Sequence, residues 1–101
     1  MLDNLDALIN YRISRSKETI EEANLSLKNE MLFNAVNRIY YAMFYIVSAL
    51  AMKNGFLTTK HQQLLGWFNV NFVKTGKVPV ELWKIYKNGY DNRLEGDYDD
   101  F

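Results

Sequence analysis

Between Met31 and Met52 the sequence carries a single charge, Arg38. No other feature limits the fold as tightly. Read at helical spacing, Leu32, Val36, Ile39, Met43, Ile46 and Leu50 form one apolar stripe. Phe33, Tyr40, Phe44, Val47 and Ala51 form a second stripe beside it. Ala35, Ala42 and Ala49 stand seven apart, where small side chains let another helix come close. A helix that is apolar nearly all round belongs in the middle of a bundle or at a subunit interface. The spacing predicts this helix over about Met31–Asn54, with Gly55 as its C-terminal cap.

Three further helices are predicted around it. The first covers about Leu5–Lys28, with Ile9, Ile13, Ser16, Ile20, Ala23 and Leu27 in steps of four and three as its buried seam. Lys17, Glu18, Glu21 and Glu22 fall on the far side as a solvated face, and Lys17 and Glu21 are spaced for a weak ion pair. The third helix starts near Thr59, where Thr59 and Gln62 match a capping box. It buries Leu65, Phe68 and Phe72 and ends at Gly76. Pro79 suits the first turn of a fourth helix, in which Leu82, Tyr86, Gly89 and Arg93 share a side and which Gly96 is expected to break. The 101 residues make one domain, and one proline with five glycines leaves few turns for a strand-rich fold. The expected architecture is an all-α, up-and-down bundle of four main helices.

The same composition excludes several kinds of chemistry. Twelve basic and twelve acidic residues cancel, so any nucleic-acid site must be a local patch. With no cysteine there is no disulfide, thiol nucleophile or cysteine-bound zinc, in agreement with a reducing compartment. The N-terminus lacks the basic start and apolar run of a signal peptide. The longest uncharged run, Ile39 to Met52, is 14 residues and too short to span a bilayer. The expectation is a cytoplasmic protein without membrane contact. With one histidine and only Asp97, Asp99 and Asp100 as clustered acids, no metal site and no cofactor are expected. No phosphate-cradling glycine motif is present.

Three polar positions stand out. Arg38 lies alone on an apolar helix, and a buried unpaired guanidinium costs several kcal/mol, so it needs a partner or a functional surface. Asn34, Tyr41, Tyr45 and Ser48 accompany it, either as a structural polar seam or as a surface for phosphate or a partner. His61, in the first turn of the third helix, either packs or caps there, or makes a polar contact with a ligand. Arg93 has Asp97 four residues on and Tyr98 five. Arg93 either pairs with Asp97 or, with Tyr98, faces a partner subunit or a nucleotide.

Several of these segments together resemble one family. Asn37-Arg38-Ile39-Tyr40-Tyr41-Ala42-Met43-Phe44 is similar to the R-x-Y-Y-A-x-F helix of HEPN-domain proteins. Lys60-His61 resembles the opening of that family's third helix. Phe72-Val73-Lys74-Thr75-Gly76 with Val78-Pro79 resembles its third-to-fourth helix turn. Arg93-Leu94-Glu95-Gly96-Asp97-Tyr98 resembles its R-x-x-x-D-Y ending. The matches follow the family's order from about Tyr11 to Tyr98.

The resemblance implies a homodimer with the family's arginine near the dimer cleft. It also implies a minimal nucleotidyltransferase as partner, with the chain as its substrate-binding subunit or as the toxin half of a toxin–antitoxin pair. A nucleotide or RNA is the implied ligand. The candidate surface is Arg38, Tyr41, Arg93, Asp97 and Tyr98, with Asn37 and His61 as weaker members. Many relatives are metal-independent ribonucleases whose motif is an arginine, a polar residue and, a few positions on, a histidine. Here Leu94 follows Arg93, and Asp97 and Tyr98 stand where the histidine would be. Metal-free cleavage needs a base and an acid near neutral pH, which histidine supplies and tyrosine does not. The sequence therefore favours a binding module over a ribonuclease, with a purely structural scaffold as a further alternative. The family's bundle usually carries another helix after the Asp-Tyr pair; in this sequence that fifth, C-terminal helix is either absent or lies beyond these residues.

Overall fold

A computed structural model describes the backbone of residues 4–99 and the side chains of residues 4–92. Among the described residues the chain forms four helices and no strand: α1 (Asn4–Lys28), α2 (Leu32–Lys53), α3 (His61–Phe68) and α4 (Val80–Asp99). A π-helical stretch, Asn69–Val73, extends α3. This is the all-α bundle that the apolar α2 demands.

α2 is enclosed on two flanks. On one, Ala35, Ala42 and Ala49 are buried and α1 lies close enough for Ser16 Oγ to donate to the Ala42 carbonyl at 2.8 Å. Contacts from Arg12 to Tyr45, Ser16 to Ala42 and Glu22 to Arg38 run in opposite chain directions, so α1 and α2 are antiparallel. On the other flank Tyr40, Phe44, Val47 and Ala51 form the main core with Leu64, Leu65 and Phe68 of α3 and Tyr86 of α4. By length and composition α2 could cross a membrane, but half of that stretch is buried inside the bundle, as befits a central helix.

The turns follow backbone chemistry. At the end of α2, Gly55 takes a φ of 83°, and the Phe56 and Gly55 amides reach back to the Ala51 and Met52 carbonyls. This is a Schellman cap, which favours glycine. α1 ends in the same pattern, with the Met31 and Glu30 amides on Ser26 and Leu27, but there Glu30 holds the positive φ, 58°. A side chain in that conformation is strained.

Four details differ from the sequence reading. Thr19, at 0% exposure, takes the seam position expected of Ile20, which is 44% exposed. Thr19 is tolerated there because its hydroxyl donates to the Arg15 carbonyl at 2.6 Å. The third helix begins at His61 with Lys60 at its N-cap and no side-chain capping bond; Thr58 Oγ1 instead accepts from the Lys60 amide at 3.1 Å and donates to Gln63 Oε1 at 2.7 Å. The capping box expected at Thr59 and Gln62 is thus not formed. Gly96 does not end α4, which continues to Asp99, because one glycine costs a helix only about 1 kcal/mol. Among the described residues α1 pairs Arg15 with Glu18 and Glu22 with Arg38, not Lys17 with Glu21.

Candidate functional site

The polar residues of α2 emerge on the side opposite its Leu32-to-Leu50 stripe, as 100° per residue requires. Arg38 is central. Its Nε and Nη2 both donate to Asn37 Oδ1, at 3.2 and 2.6 Å, and its Nη1 lies 3.4 Å from Glu22 Oε1 of α1. The guanidinium carbon stands 5.1 Å from the centroid of the Tyr41 ring. Arg38 is thus oriented by an amide, an acid and an aromatic face, and it remains partly open to solvent. This charge satisfies the polar-seam reading and still leaves a cation at the surface.

His61 reaches the same neighbourhood from α3. Its Nδ1 is 2.5 Å from the Tyr40 hydroxyl, and its ring stacks on Phe44 with centroids 4.1 Å apart and 10° between planes. The loop after α2 places the first residue of α3 against the middle of α2. The ring also meets Tyr41 edge-on at 6.1 Å. Arg38 and His61 therefore both contact one tyrosine.

The site includes two residues that the sequence reading left out. Arg12 and Arg15 of α1 lie over the Tyr45 ring, with guanidinium carbons 5.8 and 5.3 Å from its centroid, and Arg12 is also 5.9 Å from the Phe44 centroid. A hydrogen bond to Tyr45 holds the Arg15 cation above the ordinary arginine range against the opposing effect of burial. Arg15 also contacts Glu18 at 3.5 Å. Arg12 Nε is enclosed and has no hydrogen-bond partner, which costs about 1–3 kcal/mol for a polar group of this kind. The signal in the sequence was weak: two arginines three apart on the first helix look like any solvated face.

The result is a strip of cations and rings, Arg38, Tyr41, Tyr45 and then Arg15 with Arg12, with the two tyrosine centroids 6.3 Å apart. Such a surface suits phosphate groups and stacked bases. Of the candidates from sequence, the structure brings together Asn37, Arg38, Tyr41 and His61. Arg93, Asp97 and Tyr98 fall on α4, but their side chains lie outside the described residues. No group of three or more potential metal ligands gathers among the described residues.

Comparison with known proteins agrees with this architecture. The model of the HEPN domain matches residues 9–101. A UPF0332 protein of Thermotoga maritima is 47% identical over 97 residues, covering 96% of this chain and 74% of the relative. Two Methanocaldococcus jannaschii proteins, each named as a putative toxin, are 38% and 28% identical. The alignments cover 91% and 85% of this chain, and 68% and 64% of those relatives. No solved structure matches the chain significantly. The four-helix bundle, the Arg38–Phe44 helix and the matched span together show that this chain belongs to the HEPN domain family.

Proposed function

We propose that the chain is the toxin-like half of a two-protein system: a cytoplasmic, homodimeric HEPN module that binds a minimal nucleotidyltransferase and takes a nucleotide or RNA at its arginine-rich face. The observation that carries this reading is the Arg38 cluster. A cation held by Asn37 and Glu22 over Tyr41 is oriented before any ligand arrives, and preorganised arginines recognise phosphates and carboxylates well. The two relatives named as putative toxins support the toxin-like role. In this reading Tyr98 is the acceptor for a nucleotidyl group from the partner.

The test is a pull-down of the chain from its native host with intact-mass analysis. Recovery with a nucleotidyltransferase is the expected result, and a nucleotidyl mass that disappears in Tyr98→Phe would place the acceptor. Recovery of the unmodified chain alone would overturn the pairing.

A second reading has its own observation. The family's motif histidine is missing from α4, yet His61 and Arg38 both contact Tyr41, which supplies an imidazole and a cation for metal-independent RNA cleavage. RNA cleavage in excess chelator that disappears in both Arg38→Ala and His61→Ala would establish this reading. Cleavage unchanged in both variants would exclude these residues.

A further inference from the structure

We infer that Arg12, with Arg15 beside it over the Tyr45 ring, anchors a phosphate group of a nucleotide or RNA strand. This deepens the reading of the arginine face as a ligand surface and rests on it, but it requires neither a nucleotidyltransferase nor cleavage.

The charges on this face are unequal. Arg38 has Glu22 at 3.4 Å and Arg15 has Glu18 at 3.5 Å. Arg12 has no acidic partner among the described residues, only the faces of Phe44 and Tyr45. Its Nε is enclosed without a hydrogen bond, while the residue as a whole is only partly buried. An arginine kept for packing could instead be a methionine, which would lie on the same rings without an unmet donor. A partly exposed guanidinium that lies over two aromatic rings and has no acid of its own is arranged to receive an acceptor from outside.

The second cation selects the acceptor. Arg15 stands one helical turn away over the same ring, so the site presents two positive charges to one group. A phosphate offers several acceptor oxygens and up to two negative charges, and its geometry matches the guanidinium fork. The partly exposed Tyr45 ring lies beside the site, where a base attached to that phosphate can stack.

The full chain is titrated calorimetrically at low salt with adenosine monophosphate, adenosine, and a short oligouridylate without a terminal phosphate. Arg12→Met and Arg12→Lys are compared with the unaltered chain, and thermal melting reports on folding. The expected result is binding of a phosphate-bearing ligand, none of adenosine, a loss of about tenfold or more in Arg12→Met and a smaller loss in Arg12→Lys. Melting of Arg12→Met stays unchanged or rises, which separates lost recognition from lost structure. Binding of the monophosphate assigns a terminal phosphate, and binding of the oligonucleotide alone assigns a backbone phosphate. Equal affinity in Arg12→Met overturns the inference. Failure of every phosphate ligand also overturns it. If capture of a nucleotidyltransferase still succeeds in that case, the functional reading survives, and loss of that capture in Arg12→Met would identify the anion as a carboxylate of the partner.

Discussion

Tyr86 is fully buried against Tyr40, Phe68 and Trp83, and its hydroxyl has no hydrogen-bond partner. Burial, and then the nearby Tyr40, pushes its ionisation far above the ordinary value of 10. The unfolded chain loses this proton near that ordinary value and the folded chain keeps it. The contribution is therefore complete below pH 10 and falls as pH rises above it, by about 1.4 kcal/mol per pH unit. Tyr86→Phe removes both the unmet hydroxyl and this titration. It should raise stability by about 1 kcal/mol at pH 8 and by a larger margin at pH 11, measured by urea unfolding. Parallel pH curves for the two proteins would refute the assignment. Tyr86 was legible in the sequence as a core residue, but its orphan hydroxyl was not, since that depends on what surrounds it. Arg38 and Arg12 divide in the same way. A lone charge on an apolar helix is conspicuous, whereas an arginine on an amphipathic helix becomes informative only when its neighbours are seen.

Two helical glycines show how packing decides the sign of one substitution. Gly66 of α3 faces open space, and a Cβ there would touch nothing within 4 Å. Gly89 of α4 lies against α2, where a Cβ would come within 3.1 Å of Tyr40 Cβ and 3.2 Å of its Cδ1. Tyr40 cannot yield, because His61 holds its hydroxyl and the rings of Tyr41, Phe44 and Tyr86 surround it. Gly66→Ala should therefore stabilise the protein by about 0.5–1 kcal/mol through helix propensity. Gly89→Ala should destabilise it by about 1–2 kcal/mol, because overpacking of about 1–3 kcal/mol exceeds that gain. Chemical denaturation of both variants checks this, and a stabilised Gly89→Ala would mean that α4 can move off α2. At this scale the sequence was largely readable. The stripes of α2 and the positions of Tyr86 and Gly89 follow from periodicity, as does the cap at Gly55. The start of α3 at His61 was not readable, because Thr59 is a good cap by type whereas the structure puts Lys60 at that position. Nor was the exchange of Ile20 for Thr19, which depends on the angle at which α1 crosses α2.

The apolar stripe that made α2 look central is only partly covered in the single chain. Val36 and Ile46 on α2, and Leu82 and Ile85 on α4, each remain about half exposed, and Ile20 of α1 is 44% exposed. Between these helices lies an apolar groove of about 500 Å³ that includes Ile9, Ile13, Met43, Ile46, Leu50 and Leu82. Exposed apolar area of this extent marks an interaction surface, and the proposed homodimer would use it for a second copy. The arginine face lies on the opposite side of α2, so assembly and ligand capture should be separable. Light scattering should find the unaltered chain at twice its single-chain mass. A charge at the groove, in Ile46→Lys, should reduce it to one chain, because a lysine buried there would lack a partner. Ile46 is half exposed in the single chain, so the monomer's own stability should change by less than about 0.5 kcal/mol. Arg38→Gln, on the far side, should remain dimeric. A monomeric unaltered chain, or an Ile46→Lys dimer as tight as the original, would remove the second copy from this face. A sequence can show that a helix is apolar on several sides, but it cannot say whether its own chain or another covers each side, because both bury the same residues.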